Sequence, residues 1–188
     1  TSGLIMNQFV IPAQSNYFYN TCEYIETGKD SVLIIGNYLN SSERPNIIGG
    51  SEDKNTGIYV AVVRGKVVEK IKFYNFSRFE NIYKYLTDKD LQRIRKKIGE
   101  DDDTQPGYSL NLSLLTQTPK LHDSVIIVMN EAYYAEYRTE ENLSYDYYGR
   151  PFPTNRTVFD GYRYTNGIVC GISKNGDLLW DNNFALNN

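Results

Sequence analysis

Short apolar runs rich in β-branched residues recur along the chain, each cut off by polar turn residues. Val32 to Ile35 and Val125 to Val128 are two of them, and runs of this length bounded by turn signals predict buried strands. The runs repeat. Asp30-Ser-Val-Leu-Ile-Ile-Gly-Asn37 aligns without gaps on Asp123-Ser-Val-Ile-Ile-Val-Met-Asn130, and Gly57-Ile-Tyr-Val-Ala-Val-Val-Arg64 aligns on Gly167-Ile-Val-Cys-Gly-Ile-Ser-Lys174. A tight turn follows each second block, at Gly65-Lys66 and at Asn175-Gly176-Asp177. Asn175-Gly176 predicts a two-residue hairpin turn with both central residues at positive φ. Beyond the turns Val67-Val68 matches Leu178-Leu179, and Phe73 matches Phe184. An extended stretch precedes each copy, Tyr17 to Ile25 and Tyr108 to Leu115. The pattern therefore predicts a mainly β chain built of two four-stranded antiparallel units.

Four segments follow: an N-terminal extension over 1–16, a first β unit over 17–76, a helical insertion with an acidic loop over 77–107, and a second β unit over 108–188. In the insertion the period changes. Ser77-Arg-Phe-Glu80 has the form of a capping box, with Phe79, Ile82, Tyr83 and Leu86 on one helical face. Thr87 to Asp90 starts a second helix, with Leu91, Ile94 and Ile98 as its apolar stripe and Gly99 as its stop. Arg93, Arg95, Lys96 and Lys97 near its end read as dipole-stabilising cations on a solvated face, offset at once by Glu100 to Asp103.

Tandem four-stranded antiparallel units are the blades of a β-propeller. Glu131-Ala-Tyr-Tyr-Ala-Glu-Tyr137, Phe159-Asp-Gly-Tyr-Arg-Tyr164 and Asn175-Gly-Asp-Leu-Leu-Trp-Asp181 resemble blades of uncharacterised Bacteroidetes-type envelope or secreted proteins, with a WD-like or quinoprotein-like outer strand. The resemblance implies a bacterial cell-envelope or secreted location and brings no catalytic motif. Two blades do not close a ring, so it also implies further blades or partner chains; the alternative is a β-sandwich made from the two sheets. The opening Thr1-Ser-Gly3 reads as the start of a processed or excised piece.

Composition narrows the chemistry. Of 188 residues, 20 are Lys or Arg and 23 are Asp or Glu, and this near-neutral balance lacks the field that holds a nucleic-acid backbone. No apolar run approaches the length of a membrane span. His122 is the single histidine and lies in a turn, where solvation is the expected state. Cys22 and Cys170 alternate with apolar neighbours and are expected as buried, inert thiols. With one His and two Cys the chain does not make a closed zinc site, and no metal or other cofactor is expected. Glu131 and Glu136, five residues apart on one strand, point to opposite faces, a poor geometry for paired carboxylate catalysis; Glu131 with Asp160 or Asp146 stays open. Asp101-Asp-Asp103 lacks the alternating spacing of a calcium loop. No catalytic motif emerges, and a non-enzyme is expected.

Tyrosine stands out, with 17 in the chain. Eight fall in segment 131–166, a hairpin insertion relative to the first copy: Tyr133, Tyr134, Tyr137, Tyr145, Tyr147, Tyr148, Tyr162 and Tyr164. Arg138, Arg150, Arg156 and Arg163 are interleaved with them, and Gly149-Arg-Pro-Phe-Pro153 forms the expected tip. Tyr and Arg are the residues of interface hot spots; the same aromatics also stabilise a long hairpin by cross-strand pairing. The sequence thus points to a non-catalytic interaction or scaffold module with a protein partner, or to a glycan-binding or glycan-active domain.

Overall fold

A computed structural model of the chain describes residues 10–40, 54–84, 92 and 112–186. The strands are β1 (Tyr17–Tyr19), β2 (Glu23–Gly28), β3 (Ser31–Asn40), β4 (Lys54–Asn55), β5 (Gly57–Arg64), β6 (Val67–Asn75), β7 (Leu112–Thr116), β8 (Lys120–His122), β9 (Val125–Tyr145), β10 (Pro151–Ser173) and β11 (Leu178–Ala185). The protein is mainly β, as the alternating runs require. One curled antiparallel sheet has the order β1-β3-β5-β6, with β2 beside β1 along β3. The other has β7-β9-β10-β11, with β8 beside β7 along β9 and the short β4 outside β7. The predicted first strand of the first unit is thus two shorter strands, broken at Asn20–Cys22, and in the second unit a further short strand, β8, follows the predicted one after a break at Gln117–Pro119.

The sequence match is carried into the ladders. Asn37 lies opposite Ile58 and Ile35 opposite Val60; their counterparts Asn130 and Val128 lie opposite Ile168 and Cys170. The match slips at the fourth strand. Phe73 pairs with Tyr59, whereas Phe184 pairs with Gly167, two positions from the place equivalent to Phe73. The cause is the turn. Gly65-Lys66 makes a two-residue loop with a bulge after Val62, but 173–177 makes a three-residue loop. There the Ser173 amide donates to Asp177 O (2.8 Å) and the Gly176 amide to Ser173 O (2.9 Å). Gly176 alone has a positive φ in that turn (77°), so the expected pair of positive φ values at Asn175-Gly176 is not formed. An even offset keeps side chains on the same face.

The two sheets face each other like halves of a barrel and share one core. Leu33, Ile35, Ile58, Val60 and Val62 of the first pack in a common cluster with Ile126, Val128, Ile168, Cys170 and Ile172 of the second. At its centre the two matched asparagines meet. Asn37 Nδ2 donates to Asn130 Oδ1 (3.3 Å) and to Thr116 Oγ1, and Thr116 Oγ1 donates to Asn130 Oδ1 (2.9 Å).

Segment 76–84 closes the edge between β6 and β11. Phe76, Phe79 and Ile82 enter the shared core. The expected capping box does not form. Phe76–Arg78 is a single 3-10 turn capped by Asn75, whose Oδ1 accepts from the Ser77 amide. The Glu80 and Asn81 amides donate instead to the Asp181 carboxylate at 3.0 and 2.8 Å, and Asn183 Nδ2 donates to Ile82 O. A carboxylate from β11 satisfies the amides that a helix would have left for its own cap. Leu86, the second helix and the acidic run Asp101–Asp103 lie outside the described residues.

The outer faces of the two sheets differ. On the first, Ile34, Tyr38, Tyr59, Ala61 and Val63 are buried under Ile11, Tyr17, Tyr19 and Phe73. Tyr17 stacks on Phe73 with ring centroids 4.2 Å apart, and Tyr19 Oη donates to Pro12 O. On the second sheet the matching positions Ile127, Glu131, Val169 and Ser173 are only half-buried, and Met129, in the place of Gly36, is 41% exposed.

Candidate functional site: an amphipathic two-stranded ribbon

Past Tyr133 and Asn166, β9 and β10 pair, among the described residues, only with each other. The twelve residue steps from Tyr133 to Tyr145 extend the ribbon about 40 Å at 3.3 Å per residue. Its tip is Asp146–Arg150, and Pro151 to Pro153 already belong to β10 opposite Tyr145 to Leu143. The tip is tied by Asp146, whose Oδ1 accepts from the Tyr148 amide (2.9 Å) and the Arg150 amide (2.8 Å). That turn holds Tyr147 out at 97% exposure, edge-on to Tyr148, with the Arg150 guanidinium 5.4 Å from the Tyr148 ring centre.

Strand alternation sorts the expected site residues onto two faces. One face bears Tyr133, Tyr164, Tyr162, Phe159 and Tyr137, linked by edge-on and tilted ring contacts with centroids 5.1–5.9 Å apart. It continues onto the outer face of the second sheet, since Tyr133 lies in the same alternation as Met129 and Glu131, and a second bulge at Thr165 brings Tyr164, opposite Tyr133, to the side of Val169. The opposite face bears Tyr134, Glu136, Arg138, Glu140, Arg156 and Arg163. Two of its three arginines are in ion pairs: Arg163 with Glu136 (3.5 Å), and Arg138 with Glu140 (2.9 Å) and Asp160 (3.3 Å). The structure therefore gathers Tyr133, Tyr137, Tyr162 and Tyr164 at the root of the aromatic face and Tyr145, Tyr147, Tyr148 and Arg150 at the tip, and puts Tyr134, Arg138 and Arg163 on the charged side.

Tyr162 joins the aromatic face because β10 is bulged at Asp160, where the register steps from Phe159 to Gly161. Strict alternation would put Phe159 and Tyr162 on opposite faces. Phe159, Met129, Trp180 and Phe184 complete the exposed apolar surface. Trp180 lies flat over Gly171, the one neighbour without a side chain to displace it.

The carboxylates separate as the alternation requires. Glu131 is on the aromatic side beside Gln117 (3.4 Å) and Glu136 on the charged side with Arg163. Asp160 is held by Arg138, and Asp146 by the tip amides. Around Glu131, the residues Met129, Tyr164, Val169 and Phe184 line an open trough of about 810 Å³. No cluster of three metal-ligating side chains occurs among the described residues, and no helix among them is long and apolar enough to cross a membrane. His122 is exposed, 3.8 Å from Asp123.

The thiols do not behave alike. Cys170 is buried in the shared core as expected, but Cys22 is exposed: it falls in step with the exposed Phe18, Asn20 and Tyr24 and out of step with the half-buried Tyr19 and Glu23. Burial, and then the nearby Asp181 carboxylate, push the Cys170 thiol up to about 12. Iodoacetamide at pH 8 is expected to alkylate Cys22 alone in the native protein and both thiols in urea, read by intact mass; two labels under native conditions would contradict the shared core. Because the raised value favours the neutral thiol in the fold, this contribution is present below the unfolded thiol's value and is lost as pH climbs towards 12.

No family model matches the chain, and no curated protein or solved structure matches it either.

Proposed function

We propose that this chain is a non-catalytic interaction or scaffold module, a piece of a propeller-like protein of the bacterial envelope or secreted space, which contacts a protein partner through the Tyr/Arg-rich ribbon. The carrying observation is the ribbon itself. It projects aromatic side chains far from the core while Arg138 and Arg163 are paired on the other face, which leaves its exposed aromatics as the contact surface. Isolated two-stranded hairpins are marginal in water, and an aromatic-rich one gains order by docking. The consecutive four-stranded order of each unit supports the blade reading.

A glycan-binding role is the second reading, favoured by the trough in which Glu131 sits beside Tyr164 above an apolar floor. One pair of changes separates the two. Tyr147→Ala with Tyr148→Ala is expected to abolish cross-linked capture of a protein partner from extracts of the source cells. Glu131→Gln is expected to leave that capture intact. Oligosaccharide binding on a glycan array, lost in Glu131→Gln, would overturn the protein reading in favour of the glycan one.

A further inference from the structure

The open outer face of the second sheet and the aromatic face of the ribbon form one continuous apolar surface. Its exposed members are Met129, Trp180 and Phe184 on the sheet and Tyr137, Phe159 and Tyr162 on the ribbon. With aromatic side chains offering 150–250 Å² each, roughly half exposed, and Leu115 at the margin, the surface amounts to roughly 600–700 Å². That exceeds the patches of a typical monomer and approaches the roughly 800 Å² that each partner contributes to a stable interface.

We propose that the occupant of this surface is a second copy of this chain, docked about a two-fold axis; this rests on the reading of the ribbon as a contact element and names its partner. Three observations favour a copy over a different protein. First, the surface is nearly uncharged. The carboxylate at its centre, Glu131, already meets Gln117, and Arg138 and Arg163 are paired on the far side, so it offers little charge pattern for an unlike partner to match, whereas a largely neutral face can match itself.

Second, the equivalent face of the first unit shows what chemistry covers such a sheet. Tyr17, Tyr19 and Phe73 lie there, and at Gly36 the chain passes so close that any Cβ would meet Thr21 O. The aromatic row of a second copy brings the same kind of side chains to Met129 and Val169. Third, two ribbons laid face to face supply each other with the second layer that a lone two-stranded ribbon lacks.

Sedimentation velocity of the 188-residue chain at about 50 µM is expected to give twice the 21.7 kDa chain mass, since interfaces of this area span micromolar to picomolar affinity. Tyr162→Arg and, separately, Met129→Arg each set a like charge against its own copy and are expected to weaken the dimer at least about 100-fold. Both positions are exposed, and unchanged circular dichroism confirms folding. A wild-type monomer, a larger assembly, or a dimer unmoved by both changes overturns the proposal. If the wild type is monomeric but still captures another protein through Tyr147 and Tyr148, the second copy falls while the ribbon remains a contact element.

Discussion

Gly57→Ala is expected to cost roughly 3 kcal/mol or more in urea denaturation, while Gly167→Ala stays within about 0.5 kcal/mol of the wild type. The two glycines occupy the same place in the repeat, at the start of β5 and at the corresponding position within β10. Their surroundings differ. A Cβ on Gly57 would fall on the Tyr74 carbonyl and would lie 2.7 Å from the Tyr38 ring. Neither can withdraw, because the Thr56 amide next door donates to Tyr38 O (2.8 Å) and the Phe76 amide to Thr56 O (3.1 Å). Around Gly167 no atom lies within 4 Å of the same Cβ. Equal losses at the two sites would show that their environments are alike and that the second unit is as tightly covered as the first.

The second large effect is centred on Asn130. Asn130→Ala removes the acceptor of Thr116 Oγ1 and one of the two acceptors of Asn37 Nδ2 in a site where Asn37 and Asn130 are almost completely buried. Stranding a buried donor costs about 1–3 kcal/mol, so a loss of about 1–3 kcal/mol is expected. The pair has a further property. Asn37 Oδ1 is itself buried without a partner, so the polar centre is only partly satisfied. Replacing both residues, Asn37→Leu with Asn130→Leu, is therefore expected to be less damaging than the sum of the single changes, with a coupling of at least about 1 kcal/mol in the double-mutant cycle. Additive losses would mean that the two side chains do not touch and that the sheets are not in this register.

The repeat was legible because it is written in residues that set a strand's faces. Ile35 and Val128, or Ile58 and Ile168, alternate with their neighbours so that a slip of one residue would turn the core outwards. Turn geometry was less legible. Asn175-Gly176 has the composition of a two-residue loop, yet Ser173 Oγ accepts from the Asn175 and Asp177 amides and so holds the chain in a three-residue loop. Tyr74 Oη then donates to Gly176 O and Lys72 pairs with Asp177, contacts from another unit that no local pattern contains. The capping box failed for the same reason, since Asp181 reaches the Glu80 amide from a hundred residues away.

For the ribbon, the segment and its aromatic content could be read directly, and on β9 the alternation of Tyr133, Ala135 and Tyr137 against Tyr134, Glu136 and Arg138 was already present. On β10 the bulge after Phe159 conceals it, because parity changes at Asp160. The open face around Met129 was concealed differently. The sequence match equates Met129 with Gly36, but which of them is covered depends on where Thr21 passes. Cys22 was misplaced for another reason: apolar neighbours do not say which parity faces inward, and it shares the exposed parity of Phe18 and Tyr24.

The most direct test of the central claim, two like units sharing one face-to-face core, is a methyl-resolved nuclear Overhauser spectrum of protein labelled at Ile, Leu and Val. The account predicts cross-peaks linking Leu33, Ile35, Ile58 and Val60 with Ile126, Val128, Ile168 and Ile172. Cross-peaks confined to each set, with none between them, would contradict it.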